Sequence, residues 1–173
     1  MDNYLSNLIL FPEAVIRLSE KLCSIHMKNL EKWLGAVGQY IDVILFGDDL
    51  GSQEGPLISP EMYRKFYKPF HENLWNRAKE LADVKVMFHC CGGIRTLLGD
   101  LIEAGLDALN PVQFSSAGMD TSELKAGFGH QVTFWGGGCD TQNVLPNALP
   151  VQVAQHVRDQ VKMLSPGSGF VFQ

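Results

Sequence analysis

No stretch of this sequence approaches the ~18–20 consecutive apolar residues of a membrane span, so no span is expected. Basic side chains are scarce: Lys and Arg number 14 against 19 Asp and Glu, a formal charge of −5. Little basic surface is left to neutralise phosphates, which argues against a general nucleic-acid or anionic-membrane binder. The opening residues, MDNYLSNLILFPE, have no basic n-region and no small-residue cleavage site. No secretory leader is read there, and the cytoplasm is the expected compartment. The four cysteines, Cys23, Cys90, Cys91 and Cys139, lack disulfide-scaffold spacing, and reduced thiols are expected. Repeats of fixed period and low-complexity segments are also missing.

What remains is an ordinary globular composition of 173 residues, 46% hydrophobic and 19% charged, enough for one domain with one core. Residues 11–38 carry Val15, Ile16, Leu18, Leu22, Ile25, Leu30, Trp33, Leu34 and Val37 at three- and four-residue steps. That spacing predicts a long amphipathic helix, with Pro12 in its first turn and Gly35 and Gly38 marking its end.

The rhythm then shifts. Tyr40–Phe46 reads as a buried strand and Gly47–Ser59 as a loop. Ser59-Pro60-Glu61 starts a helix to about Ala82, followed by a strand over Val84–His89. Gly92-Gly93 opens a helix through Ala104, and Ala108–Gln113 is a third strand. Asp120 and Glu123 suggest a capping box on a short helix ending near Gly127. Val132–Trp135 is a strand, Pro150–Leu164 a helix, and Gly169–Gln173 a last strand. Alternation of strands and helices predicts parallel strands joined by right-handed crossovers. Two architectures fit, an open doubly wound sheet or part of a (β/α)8 barrel. Polar residues gather just after the strands, which is where a barrel keeps its catalytic loops.

Phe88-His89-Cys90-Cys91-Gly92-Gly93 is the strongest local signal. Strand alternation lets His89 and Cys91 face one side and Cys90 the other. Imidazole and thiolate suit a borderline-soft ion such as zinc, although two donors do not make a site. The bland alternative has both cysteines as buried apolar filler. Asp48 and Asp49, in a glycine-bounded loop, suit either a substrate or cation contact or a turn. Asn110 and Gln113 give polar ends to the third strand. Trp135-Gly136-Gly137-Gly138-Cys139-Asp140 closes the fourth without forming a dinucleotide fingerprint. Cys139 is a possible third thiolate, with buried filler as its expected role. His26, His71, His130 and His156 are expected to be solvated or satisfied in the core. Phe66, Tyr67, Phe70 and Trp75 fit a helix packing face.

In chain order, FGDDLGSQEGPLISPEMYRKFYKPFH, FHCCGGIRTLLGDLIEAGLDALNPVQ, WGGGCDTQNVLP and SPGSGFVFQ resemble the uroporphyrinogen decarboxylase superfamily. That superfamily holds the decarboxylases of haem synthesis and the methylcobamide-dependent methyltransferases. The resemblance implies the C-terminal half of a (β/α)8 TIM barrel in a single domain: a helical segment at 1–39, then about four βα units and a final parallel strand over 40–173. The arginine-rich motif, first-strand aspartate and substrate-contacting tyrosine of true decarboxylases lie ahead of the matched region, and their histidine after the last strand lies beyond it. The GDDLG and HCCGG wording is closer to the methyltransferase branch, where the matching His-x-Cys binds zinc together with a later cysteine.

The resemblance thus implies His89 and Cys91 as zinc ligands, Asp48 and Asp49 as catalytic, and Gln53, Asn110, Gln113 and Asp140 as substrate-binding. In the methyltransferase reading, a thiolate attacks a methyl group on a corrinoid co-substrate. In the alternative, a uroporphyrinogen III decarboxylase-type lyase, no metal is needed and Asp48, Asp49 and Gln113 line the pocket. A third reading is a non-catalytic, self-associating half-barrel. A homo-oligomer, with a dimer favoured, is expected because the first and last strands leave open edges. A small-molecule substrate is expected, with no nucleic acid or membrane partner.

Overall fold

The computed structural model describes residues 2–173. Two helices open the fold, α1 (Asp2–Leu10) and α2 (Pro12–Val37). Pro12 disfavours the helical region for the residue before it, and Phe11 sits at φ −138°, ψ 54° between the two. The periodicity gives α2 correctly but misses α1, which buries Leu8. The expected single apolar stripe divides. Val15, Leu30 and Leu34 are buried, whereas Leu18, Leu22, Ile25 and Trp33 are exposed. For Leu18, Leu22 and Ile25 the reason is length: α2 has 26 residues and packs on α4 (Lys68–Leu81), which has 14, whereas Trp33 lines an open groove with Leu45 and Phe46.

A 3-10 turn over Gly38–Tyr40 takes the first residue of the expected strand, and β1 runs Val43–Gly47. The next loop holds a small antiparallel pair, β2 (Gly51–Ser52) and β3 (Gly55–Pro56). The helix expected over 59–82 is two helices. The first, α3 (Pro60–Phe66), is capped by Ser59, and α4 follows after a break at Tyr67. Pro69 causes the break, since it has no N–H for the preceding turn and its ring crowds that turn's carbonyl.

Beyond it come β4 (Lys85–His89), α5 (Arg95–Glu103), β5 (Ala108–Asn110), α6 (Thr121–Phe128), β6 (Thr133–Trp135), α7 (Pro150–Leu164) and β7 (Phe170–Val171). β5 stops short of the expected Gln113 because Pro111 has no N–H to give the ladder. Only half of the capping box at α6 forms. The Asp120 carboxylate accepts from the Glu123 N–H at 2.9 Å, while the Glu123 side chain pairs with Arg95.

The five longer-range strands pair in the order β1-β4-β5-β6-β7, each parallel to its neighbour. Neighbours in space are neighbours in sequence, so there is no switch point and the doubly wound alternative falls. This is a sector of a (β/α)8 barrel. Phe46, Phe88, Leu109 and Phe134 face the helices; Phe88 and Phe46 pack on Trp75 with ring centroids 5.3 and 6.4 Å away. The fully buried ones, Phe88, Leu109 and Phe134, contribute ~1.5–3 kcal/mol each. In register on the other, concave side stand Leu45, Met87 and Ala108, and above them Gly47, His89 and Asn110. No helix among the described residues is long and apolar enough to cross a membrane.

Candidate metal centre at the carboxyl ends of the strands

β1 and β4 end side by side, with Gly47 opposite His89 and the Asp48 N–H donating to the His89 carbonyl at 3.1 Å. The pleat of β4 sends alternate residues to opposite sides. Cys90 is 1% exposed, and its sulfur accepts the Leu50 N–H at 3.3 Å. Burial pushes its thiol up to about 12, so it stays protonated and unreactive. Cys91 is exposed, with Sγ 3.7 Å from His89 Nε2.

Asp49 completes the group. One donor atom each from Asp49, His89 and Cys91 lie within 4.8 Å of one another. A tetrahedral ion with bonds of ~2.0–2.3 Å holds its ligand atoms ~3.5 Å apart, so side-chain adjustments of about 1 Å close these donors on one ion. Carboxylate, imidazole and thiolate form a mixed O, N, S set that suits zinc and leaves one tetrahedral position open.

Two glycines press the donor loops together. Gly92 has φ +85°, and a Cβ on it would lie 2.6 Å from the Gly51 carbonyl carbon and the Ser52 nitrogen. A Cβ on Gly51 would strike the Cys91 carbonyl oxygen. The Gly93 N–H donates to the Ser52 carbonyl and the Gly92 N–H to Gln113 Oε1, both at 2.8 Å. Gln113 thus braces the turn that carries Cys91. Gln53 accepts the Ala117 N–H on its carbonyl at 2.8 Å, and its side chain meets Ser116 Oγ at 3.4 Å. Asn110 Oδ1 lies 2.9 Å from His89 Nδ1, and Asn110 Nδ2 donates to the Trp135 carbonyl and to Gln173.

The remaining candidates lie outside the cluster. Asp48 turns away from Asp49, placing Oδ2 3.4 Å from His71 Nε2. His71 is buried, stacks on Trp75 at 4.8 Å, and meets the Tyr63 hydroxyl through Nδ1 at 3.0 Å. Burial raises Tyr63 well above the usual phenol range, so its hydroxyl keeps its proton. His71 is satisfied in the core as expected, but its contact with Asp48 was not foreseen. The signal lies in the four-residue steps Tyr63, Tyr67, His71 and Trp75. Asp140 is occupied by its own loop, accepting from the Gln142 and Asn143 N–H groups at 2.9 and 2.8 Å. Partial burial opposes its charge, yet these bonds and the Asn143 side chain hold its carboxyl below the usual range. Cys139 is half-buried and not part of the cluster.

A cavity of about 540 Å³ opens beside the cluster, between α2, the end of β1 and α4. Asp48, Asp49 and His71 stand against Leu22, Tyr67 and Phe70, and no Lys or Arg among the described residues lines it.

The family described as Uroporphyrinogen decarboxylase (URO-D) matches residues 1–173. Among solved structures, a methyltransferase from Methanosarcina mazei is similar, with a TM-score of 0.72 and 15% identity. The match covers 99% of this chain and 46% of that one, so the chain spans about half the length of that structure. At this identity the likeness is one of fold. No curated protein matches.

Proposed function

The chain belongs to the uroporphyrinogen decarboxylase family, and from that premise we propose that it carries the metal-binding part of a methyltransferase-like active site. The observation behind this reading is the convergence of Asp49, His89 and Cys91 at the ends of two neighbouring strands. Zinc, when bound there, supplies a Lewis acid that lowers the pKa of a thiol substrate so that a thiolate is present near neutral pH. Cys91 and Asp49 bring two negative charges and His89 a neutral nitrogen, which together balance a divalent ion. With three protein donors, a bound zinc would keep one ligand position for a thiol substrate. The methyl donor in this reading is a corrinoid.

Unpaired outer edges on β1 and β7, and the exposure of Leu45 and Phe172 (56% and 57%), favour self-association, with a dimer as the simplest form.

Metal analysis of the purified chain is the test. One zinc per chain, lost in His89→Ala and in Cys91→Ser while both variants stay folded, is the expected result. A folded wild-type chain that takes up no zinc from excess sinks the metal reading. It would leave the chain as a non-catalytic half-barrel or a decarboxylase-type lyase, which porphyrinogen turnover would separate.

A further inference from the structure

We propose that Asn110 is a positioning residue that fixes His89 as a donor through Nε2. The inference rests on the metal reading above. Asn110 is 7% exposed, and both ends of its amide are engaged. The Trp135 main-chain carbonyl only accepts, so the Asn110 atom 3.1 Å from it is the NH2 group. The same NH2 group donates to Gln173. Its Oδ1 therefore faces His89 Nδ1 at 2.9 Å, and an acceptor there calls for a proton on Nδ1. In a neutral imidazole the other nitrogen then carries the lone pair. That nitrogen, Nε2, is the one 3.7 Å from Cys91 Sγ.

The choice of tautomer thus starts at a backbone carbonyl on β6 and passes through Asn110 on β5 to His89 on β4. Parallel register makes it possible, because His89 and Asn110 are directly paired and share the concave face. Partners of this kind fix the ring's orientation, and their loss lowers metal affinity by ~10–100-fold. An amide has a further advantage over a carboxylate here. It orients the ring without adding a third negative charge to a set that already balances a divalent ion.

Two measurements test this. In the metal-free full-length chain at neutral pH, 15N shifts should show His89 protonated on Nδ1 and bare on Nε2. Asn110→Leu should lose that preference. A wild-type ring protonated on Nε2 overturns the proposal whether or not any metal binds, so failure here is distinguishable from failure of the metal reading. The second measurement is Co²⁺ titration of the thiolate charge-transfer band. Asn110→Leu should weaken binding ~10–100-fold. Asn110→Asp keeps the acceptor for Nδ1 while losing the donor to Trp135, so it should lose stability but keep affinity close to wild type. If affinity in both variants follows unfolding stability, Asn110 is merely structural. Unchanged Co²⁺ affinity in Asn110→Leu also refutes the proposal.

Discussion

Two polar, glycine-rich loops follow strands at the same end of the sheet, and they are used differently. At the β1–β4 side, Asp49, His89 and Cys91 face one another with their donor atoms uncommitted to the main chain. At the β6–β7 side, the Asp140 carboxylate is taken up by Gln142 and Asn143, and the Asp140 N–H donates to His156 Nε2 at 3.1 Å. One loop spends its polar groups on holding its own shape. The other is held from outside, by glycine-to-glycine contact with its neighbour and by Gln113, which leaves its side chains available for chemistry. A carboxylate after a strand indicates a site only when the backbone does not consume it.

The sharpest way to break this contrast is to separate the two donor loops. Gly92→Ala puts a Cβ against Gly51 and Ser52 at a positive φ, in rigid main chain. It should cost on the order of 3 kcal/mol in urea unfolding and abolish zinc binding. Gly138→Ala, in the other loop, meets chiefly the ring of Phe172, a side chain 57% exposed, and lies 3.1 Å from the Gln173 carbonyl oxygen. It should cost about 1 kcal/mol or less and leave zinc bound. Equal losses would erase the distinction.

A smaller effect is expected at Asp140. Asp140→Ala should cost about 1–2 kcal/mol through its lost charge-assisted bonds, with zinc content unchanged. The folded carboxyl lies below its ordinary value, so the stabilisation is fully present above the unfolded pKa of ~3.9. It is lost as pH falls through the folded value, and wild type and variant should converge in acid unfolding below about pH 4. A deficit that stays constant to lower pH would assign the cost to packing. Tyr63→Phe should cost about 1 kcal/mol by removing the partner of His71 Nδ1. The smallest effect falls on Asp48→Asn: with its carboxylate turned to His71, zinc stoichiometry should not change. Loss of zinc there would move Asp48 into the ligand set.

The legible parts of the molecule are the local ones. Alternation in a strand was enough to put His89 and Cys91 on one side and Cys90 on the other. Alternating element types were enough for parallel pairing. Asp49 as the third donor was not legible, since its approach depends on the register that sets Gly47 beside His89, some forty positions along the chain. The same holds for Asn110, whose cross-strand partners depend on the register of β4, β5 and β6. Pro69 carries the signal for the break at Tyr67, while Ser59-Pro60-Glu61 marks only where the first of the two helices starts. Exposure of Leu18, Leu22 and Ile25 was hidden because periodicity gives a face without saying how far along the helix a neighbour covers it.

The pleat of β4 gives two adjacent sulfurs opposite fates. An alkylating reagent or peroxide arriving from solvent meets Cys91, while Cys90 lies behind the sheet with its proton retained. The pair therefore resists closing into a vicinal disulfide, because joining the two would require one residue to turn through the plane of the sheet. Oxidative damage between these two neighbours is confined to the exposed Cys91 thiol.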